Sequence, residues 1–123
     1  MLGAMIGTQI RTRLEDDRSR LLAAITQEEA ALAVPLEDKG EDLTASQHPA
    51  DVASDLLMRE GTLLADLEHR ATLAELDRAL DRLARGTYGL CVECGSTIDP
   101  ERLSVLPEAA RCITCQRDGE RSR

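Results

Sequence analysis

Cys91-Val-Glu-Cys94 and, seventeen residues later, Cys112-Ile-Thr-Cys115 frame the stretch CVECGSTIDPERLSVLPEAARCITC, residues 91–115. Two residues between paired cysteines put both sulfurs about one turn apart, so each pair can grip a single ion as a tight knuckle. Gly95 frees the backbone to turn back after the first pair. Two knuckles close a tetrahedral shell of four thiolates and leave no position for water or substrate, which predicts one structural Zn2+ held by Cys91, Cys94, Cys112 and Cys115. A redox dithiol would sit in a βαβ context that is missing here, and iron–sulfur spacings differ from two knuckles seventeen apart. Four unligated core cysteines are the remaining alternative. Without metal so small a segment is expected to unfold, because ligation supplies its folding energy. Between the knuckles, Ile98, Leu103, Val105 and Leu106 are expected to pack beneath the ion, Pro100 and Pro107 mark turns, and Tyr88 is a packing residue.

Upstream of the cysteines the pattern turns helical. Ile10, Leu14, Leu21, Ile25 and Leu32 recur at steps of four and seven, with Asp17 standing where a further apolar residue would fall. This predicts an amphipathic helix over about 8–33. Pro35 ends it, and residues 34–48 carry proline, glycine and Glu37, Asp38, Glu41 and Asp42 without any period, as a connecting loop does. Pro49 suits the first turn of a second helix over 49–85, with Asp51 in that turn and Gly86 as its stop. Its stripe is read as Val52, Leu56, Leu63, Leu67, Leu73, Leu76, Leu80 and Leu83. Roughly 35 residues at 1.5 Å each make an element of about 50 Å, and so long a stripe needs a partner. The first helix is the nearest one, since consecutive elements pack on each other. Two chains forming an intermolecular bundle from the same stripes is the alternative. His69 is expected to be a solvated surface residue.

Composition agrees with an all-α chain. Of 123 residues only Tyr88 is aromatic, so the apolar content rests on aliphatic residues suited to helix seams. The expected architecture is a long antiparallel coiled-coil hairpin, residues 1–85, followed by a small four-cysteine zinc-finger module and tail, 86–123. The first ten residues and residues 117–123 are expected to be mobile.

Charge sets the class of partner. The formal net charge is −8, and four thiolates around one divalent cation make it roughly two units more negative. Duplex DNA is held mainly by Lys and Arg neutralising phosphates, so direct DNA binding is disfavoured. Five Arg against six carboxylates in 86–123 do not make a DNA-reading finger either. A basic protein surface or a metal-holding site suits this chain better. No window reaches the roughly 18 apolar residues of a membrane span. The start MLGAMIGTQIRTRL has no export signal, and paired cysteines in a reducing cytoplasm point to metal. A closed zinc shell and two isolated histidines, His48 and His69, argue against an enzyme.

Gly86-Thr-Tyr-Gly-Leu-Cys91-Val-Glu-Cys94-Gly-Ser-Thr-Ile98, with Glu101-Arg102-Leu103, Pro107, Ala110 and Cys112-Ile-Thr-Cys115, resembles the DksA/TraR family of bacterial zinc-finger transcription regulators. The segment His48-Pro49-Ala50-Asp51-Val52-Ala53 is similar to the one that family carries at its coiled-coil tip. The resemblance implies a protein that binds RNA polymerase without binding DNA, inserts its coiled coil through the secondary channel, and alters promoter-complex stability. Family members place two aspartates three apart at the tip and an alanine two positions later; this chain has His48, Asp51 and Ala53, keeping the second acid and the alanine. Where some members bind ppGpp, the matching places here hold Glu75, Leu106 and Gln116, none of which pairs with a phosphate, so that site is expected to be absent. A monomer is expected. The competing expectation is a zinc-stabilised adaptor for another assembly, such as the ribosome or a chaperone.

Overall fold

The computed structural model describes the backbone of residues 2–35 and 49–121, and side chains from residue 7 onward within those ranges. Four helices follow in order: α1 (Leu2–Ala33), α2 (Pro49–Arg85), α3 (Pro100–Val105) and α4 (Ile113–Arg121). The described residues hold no strand beyond an isolated antiparallel bridge between Leu90 and Thr97. None of their helices is long and apolar enough to cross a membrane. Two compact units result, Met1–Arg20 with Thr72–Arg123, and Leu21–Ala71.

The first unit is built on aliphatic packing. Leu14 of α1 and Leu76 and Ala79 of α2 are buried, while Ile10, Leu73, Leu80 and Leu83 are half-buried. Arg18 Nε meets Asp77 Oδ1 at 2.7 Å on the exposed flank. Asp17, in its seam position, is half-buried and answers Arg20 at 3.3 Å and Arg13 at 4.0 Å. Gly86 ends α2 with φ +79°. Its N–H donates to Leu83 O and that of Thr87 to Arg82 O, the paired bonds by which a left-handed residue satisfies the last helical carbonyls.

In the second unit the α1–α2 pairing is antiparallel, since Glu28 meets His69 while Leu32 meets Arg59. Its chemistry is unlike that of the first. Ile25 is buried and Leu21 and Leu32 are half-buried on α1. Opposite them α2 protects Asp55, Arg59, Thr62, Asp66 and His69. These recur at steps of four and three, in phase with Leu73, Leu76, Leu80 and Leu83, as a heptad seam requires. The expected stripe is therefore wrong over this half of α2. Leu56, Leu63 and Leu67 each follow a seam position by one residue, about 100° around the helix, and all are exposed. Polar contacts close the seam instead: His69 Nδ1 lies 2.8 Å from Glu28 Oε2 and Arg70 meets Glu29 across the pair, while within α2 Arg70 Nε is 2.9 Å from Asp66 Oδ2. His69, expected as a solvated surface residue, is thus a half-buried seam residue bonded to Glu28.

α1 begins at Leu2, and its Ile10 lines an apolar hollow together with Tyr88, Leu103 and Pro107 of the same unit. α4 carries the chain in helix to Arg121.

Candidate metal centre

The four cysteines converge as the spacing requires. Their sulfurs all lie within 4.8 Å of one another, and Cys94 Sγ is 3.8 Å from Cys112 Sγ. Sulfurs arranged tetrahedrally about 2.3 Å from a zinc ion stand about 3.8 Å apart, the spacing of the Cys94–Cys112 pair, and all four are close enough to share one ion. Cys91 is buried, Cys112 and Cys115 are half-buried, and Cys94 is exposed. This donor set holds one structural zinc, with four thiolates filling its coordination.

Local backbone bonds explain the convergence. Gly95, at φ +77°, donates its N–H to Cys91 O at 2.9 Å, and Cys91 N–H donates to Ser96 O at 2.8 Å. Ile98 N–H then reaches Gly89 O at 2.8 Å, so 89–98 folds back on itself with Ile98 buried beneath. The second knuckle opens α4, where Gln116 N–H donates to Cys112 O at 2.9 Å. Val92 N–H to Ala110 O, 2.9 Å, ties one knuckle to the other. Arg111 Nε adds a bond to Glu93 Oε1 at 3.2 Å.

The sulfurs already differ in acidity. Backbone N–H groups of Cys94, and next of Cys112, point at the Cys91 sulfur and push its thiol down to about 6. The Ser96 hydroxyl lowers Cys94. Cys115 is pushed up, first by the Cys112 sulfur beside it. Crowded sulfurs resist carrying several negative charges at once, and a divalent cation removes that conflict.

Between the knuckles the packing departs from expectation. Ile98 and Leu103 turn inward, but Val105 and Leu106 are exposed. The cause is α3, which the sequence reading missed by treating Pro100 as a turn. Asp99 caps this helix by accepting from Glu101 N–H at 2.9 Å, and Pro100 follows in its first turn, where its missing donor and fixed φ are suited. The Asp-Pro-Glu string was the available signal. Further bonds hold the finger within its unit: Tyr88 hydroxyl to Pro107 O at 2.7 Å, Arg102 Nε to Arg111 O at 3.2 Å, Arg82 to the carbonyls of Glu108 and Ala109, and Arg13 to Ser104 O.

Asp51 lies in the first turn of α2 and is exposed, as is Ala53. His48 lies outside the described residues.

Comparison with known proteins gives the same centre. Residues 86–121 match the model of the prokaryotic dksA/traR C4-type zinc finger. YteA of Bacillus subtilis is 38% identical over 77 residues, 63% of this chain but only 32% of that protein, so the match spans about a third of its length. A Haemophilus influenzae protein is 39% identical over 75 residues, 60% of this chain and 99% of its own length. The solved structure of transcription factor DksA2 from Pseudomonas aeruginosa aligns with a TM-score of 0.71 and 32% identity, over 97% of this chain and 86% of that one. The four-sulfur centre, the helices that carry it and these relatives agree: the chain belongs to the DksA/TraR family of prokaryotic C4 zinc-finger regulators.

Proposed function

We propose that the protein regulates transcription by binding RNA polymerase and inserting the loop end of its helical hairpin into the secondary channel, changing promoter-complex stability without contacting DNA. The observation that carries this reading is the likeness to transcription factor DksA2 over nearly the whole chain, which spans both helices as well as the finger. In this reading residues 1–85 are the working arm and 86–123 the zinc-stapled module, and the protein acts in the cytoplasm as a monomer. It acts by contact and not by catalysis, in keeping with a zinc ion whose four positions are taken by sulfur.

Asp51 and Ala53 would be the working tip residues, with His48 beside them. Asp51 would act through its charge, already favoured at the start of α2 by the helix dipole, and Ala53 through its small size. No ppGpp site is proposed: Glu75 is acidic, Leu106 apolar, and the Gln116 amide donates to Glu120 Oε1 at 3.1 Å.

Transcription in vitro with purified polymerase tests the reading. Asp51→Asn should remove most of the effect on promoter complexes and leave the affinity for polymerase within a fewfold of the parent. Loss of binding with the effect per bound molecule intact would sink the tip assignment. An effect that survives a saturating channel-blocking competitor would sink insertion itself.

A further inference from the structure

Within Leu21–Ala71 the packing between α1 and α2 thins toward the loop end. Past Ile25 on α1 and Asp66 on α2 no described residue is buried, and Val52, Leu56, Leu57 and Met58 are exposed. A hollow of about 170 Å³ is lined by Ala31, Leu32 and Val34 from one side and by Asp55, Met58 and Thr62 from the other. Apolar contact therefore does little to hold the helix ends together there. Arg59 supplies a polar tie: its Nη2 donates to Leu32 O at 2.6 Å and its Nη1 to Val34 O at 2.8 Å. The fork suits its acceptors. Both carbonyls stand where α1 stops, at the negative end of the helix dipole, and lack helical partners. A guanidinium spans two such acceptors in a fixed geometry that the single ammonium of a lysine does not reproduce.

Asp51 precedes Arg59 by eight residues, about 12 Å along α2. Of residues 49–58 between the start of α2 and this tie, all but Asp55 are exposed. A helical stretch that short is marginal on its own in water, where isolated helices under about 12–15 residues do not hold. Its order is inherited from the point at which α2 is fastened to α1. We propose that Arg59 is a positioning residue for the working end of the arm: by pinning the end of α1 to α2 it steadies the first turns of α2 and holds Asp51 in one orientation. The inference rests on the polymerase reading given above and concerns what the tip does once bound, as distinct from how tightly the protein binds.

Transcription in vitro with purified polymerase and full-length protein is the test, read as affinity and, separately, as the change in promoter-complex lifetime at saturating protein. Arg59→Ala should keep its affinity within about threefold of the wild type and lose at least about fivefold of the maximal effect. Arg59→Lys, which keeps the charge and loses the fork, should fall between the two. Added to Asp51→Asn, Arg59→Ala should change the remaining effect by less than about twofold, because residues acting through one group do not add. Ile25→Val removes one buried carbon from the same unit and destabilises it without touching the clamp, so it should keep the full effect. A maximal effect of Arg59→Ala equal to that of the wild type would overturn the positioning role and leave the polymerase reading standing. Affinity lost with the effect per bound molecule intact would make Arg59 a contact residue and overturn it as well. So would a full further loss in the Asp51→Asn background, or an equal loss in Ile25→Val, which would trace the defect to stability alone. A wild type without any effect on promoter complexes would overturn both readings.

Discussion

Asp66 occupies a seam position where a leucine would ordinarily stand. It is 7% exposed; one carboxylate oxygen accepts from Arg70 Nε at 2.9 Å, and the other, Oδ1, has no partner among the described residues. Burying an unsatisfied oxygen costs roughly 1–3 kcal/mol. Replacing a buried charge by an apolar group of similar volume is often neutral or stabilising. Arg70 keeps Glu29 as a second partner, so the substitution orphans no cation. Asp66→Leu is therefore expected to raise stability by about 1 kcal/mol, read as a shift in urea midpoint at unchanged slope. Destabilisation would mean that a bound water already satisfies Oδ1. The carboxylate has a second use, because polar seam residues fix register at the expense of stability. Asp66, Thr62 and His69 would hold α1 and α2 in one alignment that an all-leucine seam would leave free to slide.

Helices α1 and α2 were legible in sequence because their boundaries follow local rules. Pro35 lies just past Ala33, Pro49 opens α2, and Gly86 follows Arg85 with the positive φ that only glycine adopts freely. The phase of α2 was not legible. Leucine density favoured Leu56, Leu63 and Leu67 as the seam, but the seam runs through Arg59, Thr62, Asp66 and His69; Arg59 and His69 bond across to α1, and Thr62 and Asp66 bond within α2. Hydrophobic periodicity finds the apolar face of a helix, and here that face is not the one α1 covers. Arg59 shows why the polar choice holds. Its guanidinium donates to Leu32 O at 2.6 Å and Val34 O at 2.8 Å, closing carbonyls that the end of α1 leaves without helical partners. Hydrogen bonds from a charged donor contribute about 1.5–3 kcal/mol together with the packing of the stem. Arg59→Ala should thus cost about 1–2 kcal/mol and speed amide exchange in the last turn of α1. Exchange there unchanged from the parent would count against the capping role.

Across the whole molecule, zinc and the helices are joined by sequence distance rather than by neighbourhood. The ligands come from residues 91–115, yet the unit they belong to includes residues 1–20 and 72–85 as well. Arg13 to Ser104 O and Arg82 to the carbonyls of Glu108 and Ala109 each tie the helical part of that unit to carbonyls whose positions depend on the folded finger, and Tyr88 to Pro107 O braces the finger itself. The magnitudes are lopsided. Structural zinc contributes roughly 10–16 kcal/mol in small fingers at neutral pH, against about 5–15 kcal/mol for the net stability of an ordinary domain. A finger of this size with α3 and α4 as its only helices cannot persist without it. Stripping the metal with a chelator, or substituting Cys112→Ser, should therefore abolish amide protection across 86–121 and lower it in 1–20 and 72–85. Protection in 21–71 should stay near its starting value, because its ion pairs and Arg59 bonds lie wholly inside that unit. Hydrogen exchange read by mass spectrometry resolves all four segments in one experiment. Protection retained across 86–121 after zinc has left stoichiometrically would show that the finger folds on its own packing. Equal loss across 21–71 would show that the two units unfold as one.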